Sequence, residues 1–513
     1  MRGKSLMVLG TASDVGKSVL CTAFCRLFAQ QGFVVSPFKG QNMSLNAYVT
    51  WDGKEIGHAQ GIQAEAAGVP ARVEMNPILL KPTGEQTSQV VLLGEPRGNW
   101  GARRYREEMY REASLAVRES LAQLMGESDL VVLEGAGSPV EINLKGRDLV
   151  NLQVADWADA PVVLVADIDR GGVFASLVGT LALMSERERC RVQGVVINRF
   201  RGDLSLLKPG LDWFESYSGI PVLGVVPYLT DLDIEAEDSV VLERGEHPPA
   251  ISPKESLSVA VVQLPRIANF TDFAPLAAEE DVALRYVRKV SELGDVDAIL
   301  LPGSKNTIED LGYLWRSGWA EAISRFAGRG GWVAGLCGGY QMLGNAVFDP
   351  LQVESTRGRA NGLGLLPVVT RFGPRKRTLR VRATLLPEAP LWQDLRGLTI
   401  EGYEIHMGET EGAEQNPFCE VFEGDWNGGR RRDGAIHPSG RVWGTYLHGV
   451  FHNDGFRGAW LNMLRKEKGW PPLAQRNPYA LRKERAFDRL AAVVGESVPL
   501  ERLQKIVEKG CSS

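Results

Sequence analysis

Nowhere in these 513 residues does an apolar run approach the roughly 18 residues that a membrane-spanning helix needs. The apolar stretch nearest the N-terminus, SLMVLG at residues 5–10, is too short for a secretory signal and leads straight into a glycine-rich loop. Cysteine is scarce and scattered, at 21, 25, 190, 337, 419 and 511, with neither the dense spacing of a disulfide framework nor a paired CxxC zinc site. Positive charge is not in excess, and a formal net charge of -5 leaves no broad basic footprint for a nucleic acid. Internal repeats and low-complexity tracts are absent as well. These absences argue against a membrane protein, a disulfide scaffold and a nucleic-acid binder, and make a reducing, cytoplasmic setting the expectation. What remains is 44% hydrophobic and 24% charged residues, enough for packed cores, in a chain long enough for two domains of about 200–250 residues and a tail.

Short, nearly continuous apolar runs alternate with helical patterns. SLMVLG (5–10), VVSPFK (34–39), DLVVLEG (129–135), PVVLVAD (161–167), VQGVVIN (192–198) and PVLGVVPY (221–228) read as strands of a parallel sheet covered on both faces. Between the first two, Leu20, Phe24, Leu27 and Phe28 recur at helical spacing, and Gly32 stands ready to end that helix. Repetition of this unit predicts a doubly wound α/β domain over residues 1–245. A Pro-rich, charged linker follows at 246–256, and a second α/β domain over 257–455 starts with SLSVAVVQL and continues through DAILLPGS, GGWVAGL and RVWGTYLHG. Residues 456–513 turn helical and charged, as a packing tail would. Alternation in the basic run at 371–382 predicts an edge strand with solvated arginines.

Two groups of residues carry chemistry. In GTASDVGKS (10–18), Gly10, Thr11, Gly16, Lys17 and Ser18 stand between a strand and a helix, where backbone N–H groups and the helix start face an anion. Lys17 would reach the outer phosphates of ATP and Ser18 a Mg²⁺ ion. Five residues separate the glycines where the usual pattern has four, a lengthening similar to that of the dethiobiotin synthetase group of P-loop enzymes. Glu134, ending a strand, is the second expected metal group, because strand C-termini open onto the ligand crevice. Lys39 ends another strand and is a candidate for phosphate or substrate. Asn198 is placed either to read an adenine edge or to serve as a turn amide.

In the second group, Cys337 lies in WVAGLCGGYQML, where a strand turns sharply into a helix between small residues. A thiol is mostly protonated near neutral pH and needs a helix start or a histidine beside it to become a nucleophile. His448 in GTYLHGVF, following an apolar strand and followed by glycine, is the expected base, with His452 as local competitor and His406 as a pocket residue. Gly338 would offer its N–H to an oxyanion. Cys21 and Cys25, one helical turn apart, read as core residues.

GLCGGYQMLG with GTYLHG resembles class I glutamine amidotransferase domains, and PGSKNTIEDL with GYEIHMGE resembles their cobyrinate-amidating branch. FKGQNMSLNAYVT, EGAGSPVEINL and ADIDRGGVFAS extend the resemblance over almost the whole chain. It implies a P-loop synthetase joined to an amidotransferase, with ATP, Mg²⁺ and L-glutamine serving the amidation of adenosylcobyrinic acid a,c-diamide at its b, d, e and g side chains. It also implies Gly303 as a second oxyanion donor and a shielded transfer of ammonia. Class I enzymes commonly place a Glu two residues after the histidine, and Val450 stands there in this chain. A Cys337/His448 dyad is therefore expected, with Glu404 considered as a replacement third member. For the corrinoid, Arg147, Asp148, Asn151, Asp169 and Arg170 follow strand ends near Glu134 and are candidate contacts beside Lys39. Two other classes fit parts of the pattern: a nucleotide-switch ATPase with an inactive second half, and a ligase for another acid, such as a cell-wall precursor or cobyrinic acid at its a and c positions.

Overall fold

The computed structural model describes residues 3–84, 86–144, 146–229, 234–235, 256–422 and 429–511. It divides into two compact units. One comprises Met1–Ser44, Lys54–Glu237 and Lys483–Ser513, and the other Leu45–Gly53 and Asp238–Arg482. All of the expected 246–256 linker except Ser256 lies outside the described residues. Among the described residues no helix is long and apolar enough to cross a membrane.

The first unit is built on a parallel sheet of six strands: β1 (Lys4–Gly10), β2 (Val35–Phe38), β3 (Leu130–Glu134), β4 (Val162–Asp167), β5 (Val192–Phe200) and β6 (Val222–Pro227), in spatial order β6-β5-β4-β1-β3-β2. β3 and β4 are buried along their whole length, which is why they read as unbroken apolar runs. Helix α1 (Lys17–Gln30) starts at Gly16, whose φ of 93° requires a residue without a Cβ. Its apolar face, with Cys21 and Cys25, packs into the core. Helix α2 (His58–Ala66) is buried along most of its length, including Gln60 and Gln63. The segment between β2 and β3 also forms a four-stranded sheet from Gln41–Met43, Ile78–Pro82, Thr87–Leu92 and Glu95–Gly101, which no periodicity in the sequence announces.

In the second unit a six-stranded sheet runs in the order β9-β7-β10-β12-β16-β15. Its strands are β7 (Leu257–Val262), β9 (Val282–Val287), β10 (Ala298–Leu301), β12 (Trp332–Leu336), β15 (Ala435–Ile436) and β16 (Val442–Thr445), and only β15 is antiparallel to its neighbour. The short strands β8 (Ile267–Ala268) and β11 (Gly303–Ser304) pair beyond the ends of β7 and β10. Helix α3 (Gly338–Leu343) follows β12. A second sheet contains the long hairpin of β13 (Val369–Leu385) and β14 (Thr399–Glu411). The basic run forms a strand that pairs with β14 along one side. On the other side, among the described residues, only its ends meet a strand, Arg371 opposite Phe348 and Arg382 opposite Phe422, so the stretch between them is the expected edge. Trp392, Phe418, Trp443, Phe456 and Trp460 fill the core of this unit, with α4 (Asp454–Glu467) laid over it.

The tail divides between the two units. Residues up to Arg482 belong to the second, whereas Leu490, Val494, Val498, Leu503 and Val507 complete the core of the first, where Gly224 passes so close to the Ser497 carbonyl that no Cβ fits. Leu503, on the last helix Leu500–Lys509, is fully buried. Leu503→Ala is expected to destabilise the P-loop unit by about 2–5 kcal/mol. Thermal unfolding would show this as a lowered first transition, and an unchanged profile would refute the packing role.

Candidate active sites

At the C-terminal edge of the first sheet, the loop after β1 bends back on itself. Lys17 Nζ donates to the carbonyls of Ala12 (3.0 Å) and Gly137 (3.1 Å), holding an ammonium across the loop mouth. Thr11 N–H is tied to Val165 O (2.9 Å). An added Cβ on Gly10 would strike Val15 and crowd Lys17 Nζ, so the loop closes only around glycine. Asn198 lies beneath the loop: its Nδ2 donates to Val15 O (2.8 Å) and occupies the space that a side chain at Gly16 would need. Asn198 thus makes a loop-locking bond through its amide nitrogen.

Glu134 is the hub of this site. Its Oε1 accepts from Ser18 Oγ (2.8 Å) and Lys39 Nζ (2.8 Å), and its Oε2 from Gln63 Nε2 (2.6 Å); Glu134, Lys39 and Gln63 are buried and Ser18 half-buried. Ser18 and Glu134 are adjacent hard oxygen donors, which suits a Mg²⁺ ion that keeps much of its shell as phosphate oxygen and water. Gln63 was not legible in the sequence; a glutamine on the buried side of an apolar helix is the only signal it leaves.

The remaining candidates separate by what they touch. Asp148 accepts N–H groups from Val150 (3.0 Å) and Asn151 (2.9 Å), and the Asn151 amide brackets Ala136 N–H (3.0 Å) and O (2.9 Å). Both side chains hold loops in this structure. Burial raises the Asp148 carboxyl above its ordinary value against the lowering effect of those N–H groups. Arg147 is exposed and donates to Arg106 O (3.0 Å). Arg170 and Arg199 both reach Asp14 in the loop (2.7 and 3.0 Å) and Asp167 at the end of β4 (3.3 and 3.1 Å), while Asp169 pairs with Arg201 (3.2 Å). Arg199 was not among the candidates.

In the second unit, parallel pairing of β12 with β16 matches Leu336 with Thr445, and Cys337 N–H donates to Thr445 O (2.8 Å). The next residues of both strands therefore emerge side by side, bringing Cys337 and His448 together at one sheet edge. Cys337 has φ 51° and ψ -109°, a strained elbow for a residue with a side chain. Gly338 and Gly339 permit it: added Cβ atoms would lie 2.7 Å from Ser304 N and 2.1 Å from Leu301 O. An added Cβ on Gly303 would sit 3.4 Å from His448 Cε1, so Gly303 backs directly onto the imidazole.

The acidic partner of His448 comes from neither expected place. Val450 is buried in the apolar core. Glu404 pairs with Arg431 and lies 3.8 Å from His406. Its neighbour Tyr403 forms the bridge to His448, exchanging backbone bonds with it and stacking on its ring at 5.1 Å, so strand alternation sends Glu404 to the opposite face. Asp272 fills the role instead. From the turn Phe270–Phe273 after β8, its Oδ2 accepts from His448 Nδ1 at 2.6 Å and its Oδ1 from Gly449 N–H at 2.9 Å. Burial pulls the His448 pKa down, but Asp272 and the Cys337 sulfur outweigh it and raise it to about 10. The sequence signal for Asp272 is faint: one carboxylate between two core phenylalanines. His452 packs edge-on against Tyr479, and the His406 ring stacks on Tyr446.

Comparison with known proteins agrees with this division. A model for the CobQ/CobB/MinD/ParA nucleotide binding domain matches residues 6–241, and one for the CobB/CobQ-like glutamine amidotransferase domain matches residues 258–456. Cobyric acid synthase of Geobacillus kaustophilus is 53% identical over 508 residues, covering 99% of this chain and 98% of its own. The enzymes of that name from Pelotomaculum thermopropionicum and Salmonella typhimurium are each 49% identical, covering 98% and 99% of this chain and 96% and 99% of theirs. With both halves matched in order and identity near one half sustained end to end, the chain belongs to the cobyric acid synthase family.

Proposed function

We propose that this chain amidates the b, d, e and g carboxylates of adenosylcobyrinic acid a,c-diamide, using ATP to activate each carboxylate and glutamine to supply ammonia. The observation that carries the reading is the coexistence in one chain of a Cys337, His448, Asp272 cluster and a P-loop whose Ser18 and Lys39 converge on Glu134.

Cys337 attacks the side-chain amide carbon of glutamine, and the resulting oxyanion is met by the N–H groups of Gly338 and Gly303. The imidazolium of His448, held by Asp272, stabilises the attacking thiolate and then gives its proton to the departing ammonia. Water, deprotonated by the now neutral His448, cleaves the thioester to glutamate. A carboxylate does not exchange hydroxide for ammonia unaided, so a corrinoid carboxylate oxygen first attacks the γ-phosphorus of ATP and ADP departs. Ammonia then adds to the acyl carbon, phosphate leaves and a proton is lost. Lys17 and the loop N–H groups hold the phosphates during this transfer. Ser18 and Glu134 would hold Mg²⁺, which when bound neutralises phosphate charge. Lys39, buried against Glu134, and the exposed Arg170 are the proposed contacts for the acidic periphery of the corrinoid.

Cys337→Ala is expected to abolish glutamine-driven amidation while ammonia-driven amidation persists, and Lys17→Ala to lose both. Following amide formation with each nitrogen source checks this, and full glutamine use by Cys337→Ala would overturn the nucleophile assignment. A panel that includes cobyrinic acid and its a,c-diamide separates this reading from a ligase for the a and c positions.

Asp272→Asn should lower glutamine-driven turnover by about 10²–10⁴-fold and spare the ammonia-driven rate. Because the folded pKa of His448 is raised, its ion pair stabilises fully below about pH 6.5 and loses that effect as pH rises through about 10. The gap in melting temperature between wild type and Asp272→Asn is therefore expected to be wide at pH 6 and to close above pH 10. A gap that does not vary with pH would contradict the assignment.

A further inference from the structure

The turn that carries Asp272 is tied to residues more than two hundred positions earlier in the chain. Asn269, which opens the turn, sits at φ 51° and ψ 44°, a left-handed conformation that few residues other than glycine, asparagine and aspartate adopt. Its side-chain Oδ1 accepts from Ala47 N–H (2.9 Å), and the next N–H, of Phe270, donates to Asn46 Oδ1 (3.2 Å). Both asparagines are buried. The Asn269 amide nitrogen also lies 3.4 Å from Nε2 and 3.5 Å from Nδ1 of His448. One amide therefore touches both the distant segment and the imidazole.

That segment, Leu45–Gly53, belongs to the amidotransferase unit although its neighbours in sequence belong to the P-loop unit. It is fastened along its length: Arg380 Nε donates to Val49 O (2.8 Å), the Arg380 guanidinium lies 5.0 Å over the Tyr48 ring, and Gly53 passes 3.1 Å, measured from an ideal Cβ, from Thr378 O. Thr50 is fully buried.

From this we propose that Leu45–Gly53 is a positioning element of the glutaminase centre, acting through Asn46 and Ala47 on the turn that holds Asp272 against His448. The proposal rests on the reading that Cys337 and His448 hydrolyse glutamine. A strained turn bearing a buried carboxylate keeps one geometry only where its surroundings over-determine it, and these two hydrogen bonds supply that constraint at the residues flanking the turn entry. Lys39, the partner of Glu134, lies shortly before this segment in sequence, in the other unit.

Two substitutions in the full-length chain test this. Asn46→Ala removes the acceptor for Phe270 N–H. Asn269→Gly keeps the left-handed backbone at no steric cost but removes the side-chain tie. Each is expected to lower kcat for glutamine hydrolysis by about tenfold or more with KM little changed. Each should also move the alkaline limb of the pH profile to lower pH, because a displaced Asp272 supports the His448 charge less well. Ammonia-driven amidation by Asn46→Ala should equal that of wild type. Wild-type kcat and pH profile in both variants, or equal losses with glutamine and with ammonia, would overturn the proposal. Cys337→Ala, run alongside, tells its failure apart from that of the underlying reading: if Cys337→Ala abolishes glutamine hydrolysis while the two asparagine variants behave as wild type, only the positioning role falls.

Discussion

The hydrogen bond between Asp272 and His448 is the constraint on which the amidotransferase centre depends. Both side chains are withdrawn from water, and a buried charge is tolerable only when it is paired and its remaining hydrogen-bonding capacity is used. Asp272 meets that condition with two oxygens and two fixed donors, the imidazole and the Gly449 N–H. The imidazole in turn is held by a backbone bridge and a stacked ring from Tyr403. With its orientation set on these sides, His448 presents its remaining nitrogen and its charge to Cys337 without first having to reorganise. The strained Cys337 backbone is kept in place by close approaches that only glycine neighbours allow.

The P-loop centre is also organised around one buried carboxylate, but with the opposite consequence. The donors around Glu134 are a hydroxyl, an ammonium and an amide, three groups that would each find new partners when phosphates and a cation arrive. Asp272 is therefore a fixed strut, whereas Glu134 is a place where partners exchange. This difference suits the two kinds of chemistry proposed: proton transfer at a sulfur needs a geometry that does not move, and phosphoryl transfer needs a site that can admit and release a highly charged ligand.

Much of this was legible because some chemistry forces its residues into local sequence. A phosphate loop must sit between a strand and a helix, and an elbow nucleophile must sit between small residues, so Lys17, Ser18, Cys337 and Gly338 could be read from short runs. His448 could be read because it follows a strand that the fold places beside the Cys337 strand. Asp272 and Gln63 could not, since each reaches its site through tertiary packing and neither has a motif around it. Glu404 misled because distance along a strand says nothing about which face a side chain occupies: the residue before it faces His448, and it faces Arg431. Asp148 and Asn151 stand where ligand contacts were expected, but loops at strand ends also need acceptors for their own N–H groups. The basic run at 371–382 showed its strand period and its open side, and only the partners at its two ends, Phe348 and Phe422, come from tertiary structure.

The interleaving of the two units has a consequence for the gene. Residues 45–53 leave the first half of the sequence to join the second unit, and residues 483–513 leave the second half to join the first. A cut in the linker would therefore strip each product of part of its own fold: one would lose the helices that close its core, and the other the strand that braces its acid. Gene fission at that point would part each unit from a piece of its own sequence.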